Sequence, residues 1–222
     1  MLRPRVPLRR LEKSILAFEE EPVVRNMILF YGSSTFTRWR EKYHNPNLED
    51  VIRMKDGSQA CVNHGFGSST AEEQLYYYPR AVRPWEPRAL VLYAFGNDYG
   101  FGYSPAEVLS LQTRIMEYAR ADNPDVRLFL CTSRPTLKDL ELPEREILLI
   151  DEYNDLVRAY CAFHPDVGLV DHSKCAGFYA DGRVGEREAL RPEIFVADKV
   201  HNNADGYAVY REFIADILKD LL

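Results

Sequence analysis

At 222 residues the chain has room for one sizeable domain and is short for two. Its 46% hydrophobic and 28% charged residues are the make-up of an ordinary soluble globular protein. A net charge of −6 argues against nucleic acid or an anionic membrane as partner, and no apolar run approaches the roughly 18 residues of a membrane span.

The N-terminus is basic (Arg3, Arg5, Arg9, Arg10) but lacks the apolar core of a signal peptide, so a cytoplasmic location is expected. It runs into Leu11, Ile15, Leu16 and Phe18, an amphipathic helix ending in acidic residues 19–21. Residues 1–22 therefore read as a helical lead-in to a single domain spanning 1–222. Residues 27–31 are a short apolar run, the mark of a strand buried on both faces. The run stops at Gly32, Ser33 and Ser34, and a helical pattern follows with Phe36, Trp39, Arg40 and Tyr43 on one face. Hydroxyls at such a turn commonly cap the helix; placed beyond a buried strand, they also suit a nucleophile. Both readings of Ser33, Ser34 and Thr35 stand at this point.

Residues 45–58 read as loop with a short helical turn, and 59–63 as a second strand. After the turn at 65–68, Ser69 and Glu72 form a capping box that opens the next helix, where Tyr77 and its neighbours supply a packed face. Residues 89–95 are the most apolar strand, ending in Gly96, Asn97 and Asp98 and an aromatic loop over 99–103. Ser104, Pro105 and Glu107 combine an N-cap, an N1 proline and a capping box, and Asn123-Pro124 stops that helix. A fourth strand covers 126–131. Leu149, Tyr153, Leu156 and Tyr160 mark a helix, and 167–170 a fifth strand. A glycine-bearing loop over 177–191 leads to a last helix with Tyr207, Tyr210, Phe213, Ile217 and Leu221 on its buried side. Strands alternating with helices predict a five-stranded parallel sheet covered on both faces. The four cysteines, at 61, 131, 161 and 175, show no zinc or CxxC spacing and read as reduced core residues.

In a parallel sheet the turns after strands one, two and three share one edge, which brings Ser34, Gly67-Ser68 and Asn97 together. Near the C-terminus, Asp198 precedes His201 by three residues on a tight turn. Such an Asp can accept the imidazole Nδ1–H and leave Nε2 to take a proton from a serine hydroxyl. These four blocks in this order resemble the SGNH (GDSL-type) hydrolase family over nearly the whole chain. The likeness is greatest to the bacterial branch whose first block reads Gly-Ser-Ser. Block one is Gly32-Ser33-Ser34 with Trp39 behind it; block two runs from Asn63 through Gly65, Phe66 and Gly67 to Ser68. Block three is Asn97-Asp98, and block four Asp198 to His201 with Ala204, Gly206 and Tyr207 following.

The resemblance implies a flavodoxin-like three-layer α/β/α sandwich and a serine esterase. Ser34 would be the nucleophile, His201 the base and Asp198 its orienting partner. The oxyanion hole would comprise the Ser34 N–H, the Ser68 N–H (or that of Gly67) and the Asn97 amide. Because their loop follows Asn97 directly, Tyr99, Phe101 and Tyr103 are expected in the wall of the acyl pocket, and His64 reads as a surface or structural histidine that borders the site. A small acyl-ester substrate is implied, with no metal and no cofactor. Ser68 and Phe95 replace glycines of the family pattern, and a Cβ is unwelcome where glycine has a positive φ. A catalytically impaired binding protein on the same fold is the alternative those two residues suggest. An α/β-hydrolase is disfavoured by Gly-x-Ser-x-Phe, and a nucleotide binder by the lack of a phosphate-cradling glycine loop. Nothing in their spacing singles out Asp171, His172, Asp198 and His201 as metal ligands.

Overall fold

The fold was analysed in a computed structural model that describes residues 4–222; Arg3 and the two positions before it lie outside the described residues. Five strands, β1 (Ile28–Gly32), β2 (Cys61–Gly65), β3 (Ala89–Tyr93), β4 (Arg127–Cys131) and β5 (Val167–Val170), form one parallel sheet in the order β2-β1-β3-β4-β5. All four pairings are parallel, and Gly32 stands opposite both Gly65 and Tyr93. The chain reverses its direction of winding between β1 and β3. A crevice therefore opens beyond their carboxyl ends, where doubly wound sheets hold ligands.

Side chains alternate across the sheet and divide the core in two. Leu29, Tyr31, Leu90, Leu92, Leu128 and Leu130 pack under α1 (Glu12–Glu19), α4 (Ala71–Ala81), α5 (Pro105–Asp122) and α6 (Glu144–Phe163). Ile28, Phe30, Ala89, Val91, Phe129 and Cys131 face α2 (Ser34–Thr37), α3 (Leu48–Val51) and α7 (Ala204–Ile217). Helices on both faces of a parallel sheet make the expected three-layer sandwich. The four cysteines are buried and unbridged. No helix among the described residues is long and apolar enough to cross a membrane.

Local boundaries differ from the sequence reading in three places. The helix after Ser34 lasts one turn, and Tyr43 is exposed instead of sharing a buried face with Phe36 and Trp39. Its continuation is blocked because side chains take the carbonyls a longer helix would use: Asn63 Nδ2 donates to the Phe36 oxygen and Asn45 Nδ2 to the Arg38 oxygen, both at 2.8 Å. Strand β2 begins two residues later than expected. The capping box of α4 is Thr70 with Glu73, one step beyond Ser69 and Glu72. Ser69 is occupied by the Gln74 amide at 3.2 Å and Glu72 by the Tyr103 hydroxyl at 2.5 Å, so neither can cap.

Candidate active site

The first turn is shaped by close approach. A Cβ on Gly32 would lie 2.8 Å from the Tyr93 carbonyl oxygen, and one on Gly65 only 2.4 Å from the Thr37 nitrogen. These glycines let α2 lie directly across the end of β2. Trp39 then stacks on Tyr210 at 5.1 Å, and the Tyr207 hydroxyl donates to the Thr35 carbonyl at 2.7 Å, tying the turn to α7. Ser33 occupies the N-cap position of α2, yet no side chain caps this helix. The capping reading of the hydroxyls thus fails. Ser34 is half-buried, and its N–H, like those of Gly67 and Ser68, donates to no carbonyl among the described residues.

Around the second and third turns the backbone takes an unusual path. Ser68 has φ +64° and Phe95 φ +92°, the left-handed region that residues with a Cβ usually avoid. Both positions that replace family glycines have kept a glycine-like conformation. The Phe95 ring, fully buried, is held parallel to Tyr153 at 4.3 Å. Its N–H donates to Asp98 Oδ2 at 2.9 Å, while Asp98 Oδ1 accepts the Ala71 N–H at 2.7 Å. Burial pushes the Asp98 carboxyl up to about 6 against those two bonds. Asn97 donates one Nδ2–H to the Ser69 carbonyl at 3.0 Å and keeps a second for another acceptor. Gly67 lies close by, with an ideal Cβ 4.0 Å from that of Ser34.

The fourth block is a tight turn. Val196 N–H donates to His201 O at 2.9 Å, with Lys199 left-handed at φ +62°. Asp198 Oδ1 accepts the N–H groups of Val200 and His201, each at 2.9 Å, and Oδ2 accepts the His201 Nδ1–H at 2.8 Å. Arg38 Nη1 approaches the same Oδ2 at 3.3 Å. Burial opposes ionisation of Asp198, but the bonds from His201 and Val200 prevail and hold its carboxyl below the ordinary range. Burial lowers His201, the bond to Asp198 opposes this, and the charges of Arg38 and Arg134 add to the lowering. With Nδ1–H committed to the carboxylate, Nε2 presents its lone pair. That nitrogen is buried without a hydrogen-bond partner, so no bond joins it to Ser34.

A cavity of about 240 Å³ lies beyond β1 and β3, and Ser34, Gly96, Asn97 and Tyr99 line it. Val200 also lines it, whereas His201, Gly67 and Ser68 are not in its wall. Phe101 does not border the cavity: it is 44% exposed and carries the Arg10 guanidinium on its ring face at 5.1 Å. Tyr103 turns away to Glu72. His64 is also remote from the site. Strand alternation sends it to the opposite layer, stacked on Phe18 at 4.3 Å and bonded through Nδ1 to the Ala81 carbonyl at 2.6 Å.

Arg134 is the residue the motif reading missed. It lines the cavity, is 3% exposed, and donates through Nη1 to Asn202 Oδ1 and through Nη2 to the Val200 carbonyl. The signal was present in Thr132-Ser133-Arg134-Pro135, which follows β4 and so falls on the same sheet edge. A second cavity, about 460 Å³, shares Ser133, Asp139 and Ile150 with the first and is lined by Arg158, Asp171 and Arg187.

The sheet order, the crevice at its switch point and an acid–histidine pair beside a serine turn are the features of an ester-hydrolysing serine hydrolase. The family model of the GDSL-like lipase/acylhydrolase family matches residues 30–209, and the chain belongs to that family. No curated protein matches the sequence. Among solved structures, a GDSL-like lipase from Bacteroides thetaiotaomicron is similar at 18% identity and a TM-score of 0.71, over 97% of this chain and 100% of the other. A lipase/acylhydrolase from Enterococcus faecalis is 19% identical with a TM-score of 0.70, over 88% and 96% of the two chains. An acetyl-xylooligosaccharide esterase from a Geobacillus is 14% identical with a TM-score of 0.65, over 89% and 96%. At these identities the structural likeness concerns the fold.

Proposed function

We propose that this single-domain enzyme hydrolyses a small acyl ester, such as an acetyl ester, through an acyl-enzyme on Ser34. The observation that carries the reading is a half-buried serine on an uncapped turn, in a cavity shared with Asn97 and with Val200, the neighbour of a histidine whose Nδ1–H is held 2.8 Å from Asp198. In the first step Ser34 Oγ attacks the ester carbonyl while His201 Nε2 takes its proton. The same proton then passes to the departing alkoxide, releasing the alcohol. Water attacks the acyl-enzyme by the same route and frees Ser34. The oxyanion of each tetrahedral intermediate is met by the Ser34 N–H, the Ser68 N–H (or that of Gly67) and the second Asn97 amide N–H.

A cavity of about 240 Å³ is large enough for a short acyl group, and Tyr93 and Tyr99 supply its aromatic lining. The alternative of an impaired binding protein rested on Ser68 and Phe95, and the positive φ of both residues weakens that motive. The test is Ser34→Ala against the parent protein, using a fluorophosphonate label and p-nitrophenyl esters of increasing chain length. Labelling and hydrolysis should vanish in the variant, with acetate and butyrate preferred by the parent. Undiminished labelling of the variant would sink the assignment.

A further inference from the structure

The left-handed residue next to the proposed oxyanion hole is clamped from two sides. Outside the cavity, Arg10 Nη2 donates to the Ser68 carbonyl at 2.5 Å; inside it, Asn97 Nδ2 donates to the next carbonyl, that of Ser69, at 3.0 Å. The same Arg10 nitrogen reaches Glu73 Oε2 at 2.7 Å, a carboxylate whose side chain is fully buried and which closes the capping box of α4. Phe101 supports the guanidinium from beneath, at 5.1 Å. Arg10 is itself placed by a turn in the lead-in, its N–H donating to the Pro7 carbonyl at 3.0 Å. Four groups thus converge on one arginine, and none of them belongs to the serine–histidine–aspartate set.

We propose that Arg10 is a positioning residue, whose bond to the Ser68 carbonyl holds residue 68 left-handed so that its N–H stays available to the oxyanion. An L-residue with a Cβ disfavours that conformation, whereas glycine takes it readily. Without the clamp, Ser68 relaxes to negative φ and its N–H turns from the site. The lead-in is therefore part of the active-site support as well as a cover for the sheet. This inference rests on the oxyanion hole proposed above.

Removing Arg10 alone would strand the buried Glu73 carboxylate and risk unfolding, so the comparison is made in a Glu73→Gln background. Against Glu73→Gln, the pair Arg10→Ala with Glu73→Gln should lower kcat on p-nitrophenyl acetate about 10- to 100-fold, with KM little moved. Adding Ser68→Gly should restore kcat to within about threefold, because glycine needs no clamp. A loss below about threefold, or a loss that glycine does not rescue, overturns the proposal. A crystal structure of the double variant reads the clamp without turnover. Negative φ at Ser68 supports it, and a retained positive φ refutes it even in an inactive protein. Absence of any Ser34-dependent hydrolysis in the parent enzyme would instead sink the esterase reading by itself.

Discussion

Acidification from pH 7 to pH 5 should weaken the fold chiefly through two histidines outside the proposed catalytic set, His64 and His172. Both are fully buried, and burial lowers each to about 4. His172 is further fixed by the Thr132 carbonyl at 2.7 Å and the Tyr210 hydroxyl at 2.6 Å. Their folded values lie below the unfolded value near 6.5. Their stability is therefore whole above about 6.5 and is lost as pH falls toward 4. Between pH 7 and 5 each contributes a loss of about 1.8 kcal/mol. Asp98 acts in the opposite sense: its carboxyl is raised to about 6, so the folded state gains as pH falls, by about 1.3 kcal/mol over the same interval. The net loss of about 2 kcal/mol is a large share of a typical stability of about 5–15 kcal/mol. Urea unfolding at pH 7, 6 and 5 measures it, and the midpoint should fall by about 1 M. His64→Phe keeps the stack on Phe18 and removes one titrating ring, leaving a net change of only about 0.5 kcal/mol. A variant whose midpoint fell with pH as steeply as the parent's would refute the assignment.

Catalysis offers separate tests. Asn97→Ala should lower kcat by about 10²–10³-fold with KM much less affected, and a loss under about fivefold, with chemistry rate-limiting, would reduce Asn97 to a turn residue. If His201 is the proposed base, the rate should rise with pH through a midpoint below 6.5, since burial and two arginines lower it and its neutral form would take the proton. Arg134→Gln should move that midpoint upward while Arg134→Lys, which keeps the charge, should not. An unmoved midpoint in the glutamine variant would remove Arg134 from the electrostatics of the base.

Much of the frame can be read locally because its determinants are local. The apolar runs at β1 and β3 mark strands buried along their whole length, those at β4 and β5 mark the strands toward the sheet edge, and the Ser104, Pro105 and Glu107 cap stands where it was expected, at the start of α5. The Asp198–His201 pair is legible because one tight turn contains both partners. Misread features depend on groups distant in sequence. Ser69 with Glu72 and Thr70 with Glu73 both satisfy the capping pattern, and only Gln74 and Tyr103 decide between them. The one-turn length of α2 depends in part on Asn63, which comes from another strand. Phe101 looked like pocket wall because it follows Asn97 closely, but Arg10 draws its ring face outward. Arg10 had no signal of its own, because its acceptor lies 58 residues away.

Arg134 shows why such long-range placement matters to chemistry. Elsewhere two half-buried arginines are paired with carboxylates, Arg158 reaching Asp171 at 2.8 Å and Arg187 bonded to Asp151, whereas the half-buried Arg40 and Arg88 rest on carbonyls. Arg134 is more deeply buried than any of these, yet no carboxylate among the described residues lies within ion-pair distance, and its Nε has no partner. Burying an unpaired charge costs several kcal/mol, about as much as many domains have in reserve. The Phe195 ring face at 5.8 Å and the oxygens of Asn202 and Val200 offset part of this. A carboxylate in their place would neutralise the guanidinium but would also attract a proton to His201 and compete with Asp198 for the ring. Arg134 instead holds Val200 and Asn202, the residues on either side of His201, with neutral acceptors, and its charge adds to the burial that lowers His201. Arg38, at Asp198 Oδ2, acts from the carboxylate side in the same sense. Both charges would oppose the imidazolium formed in the proposed proton transfer from Ser34. In the proposed mechanism that opposition would be met by the oxyanion arising at the same moment, whose negative charge the same arginines would favour. The arrangement thus disfavours a protonated histidine alone and tolerates it when the tetrahedral intermediate is present.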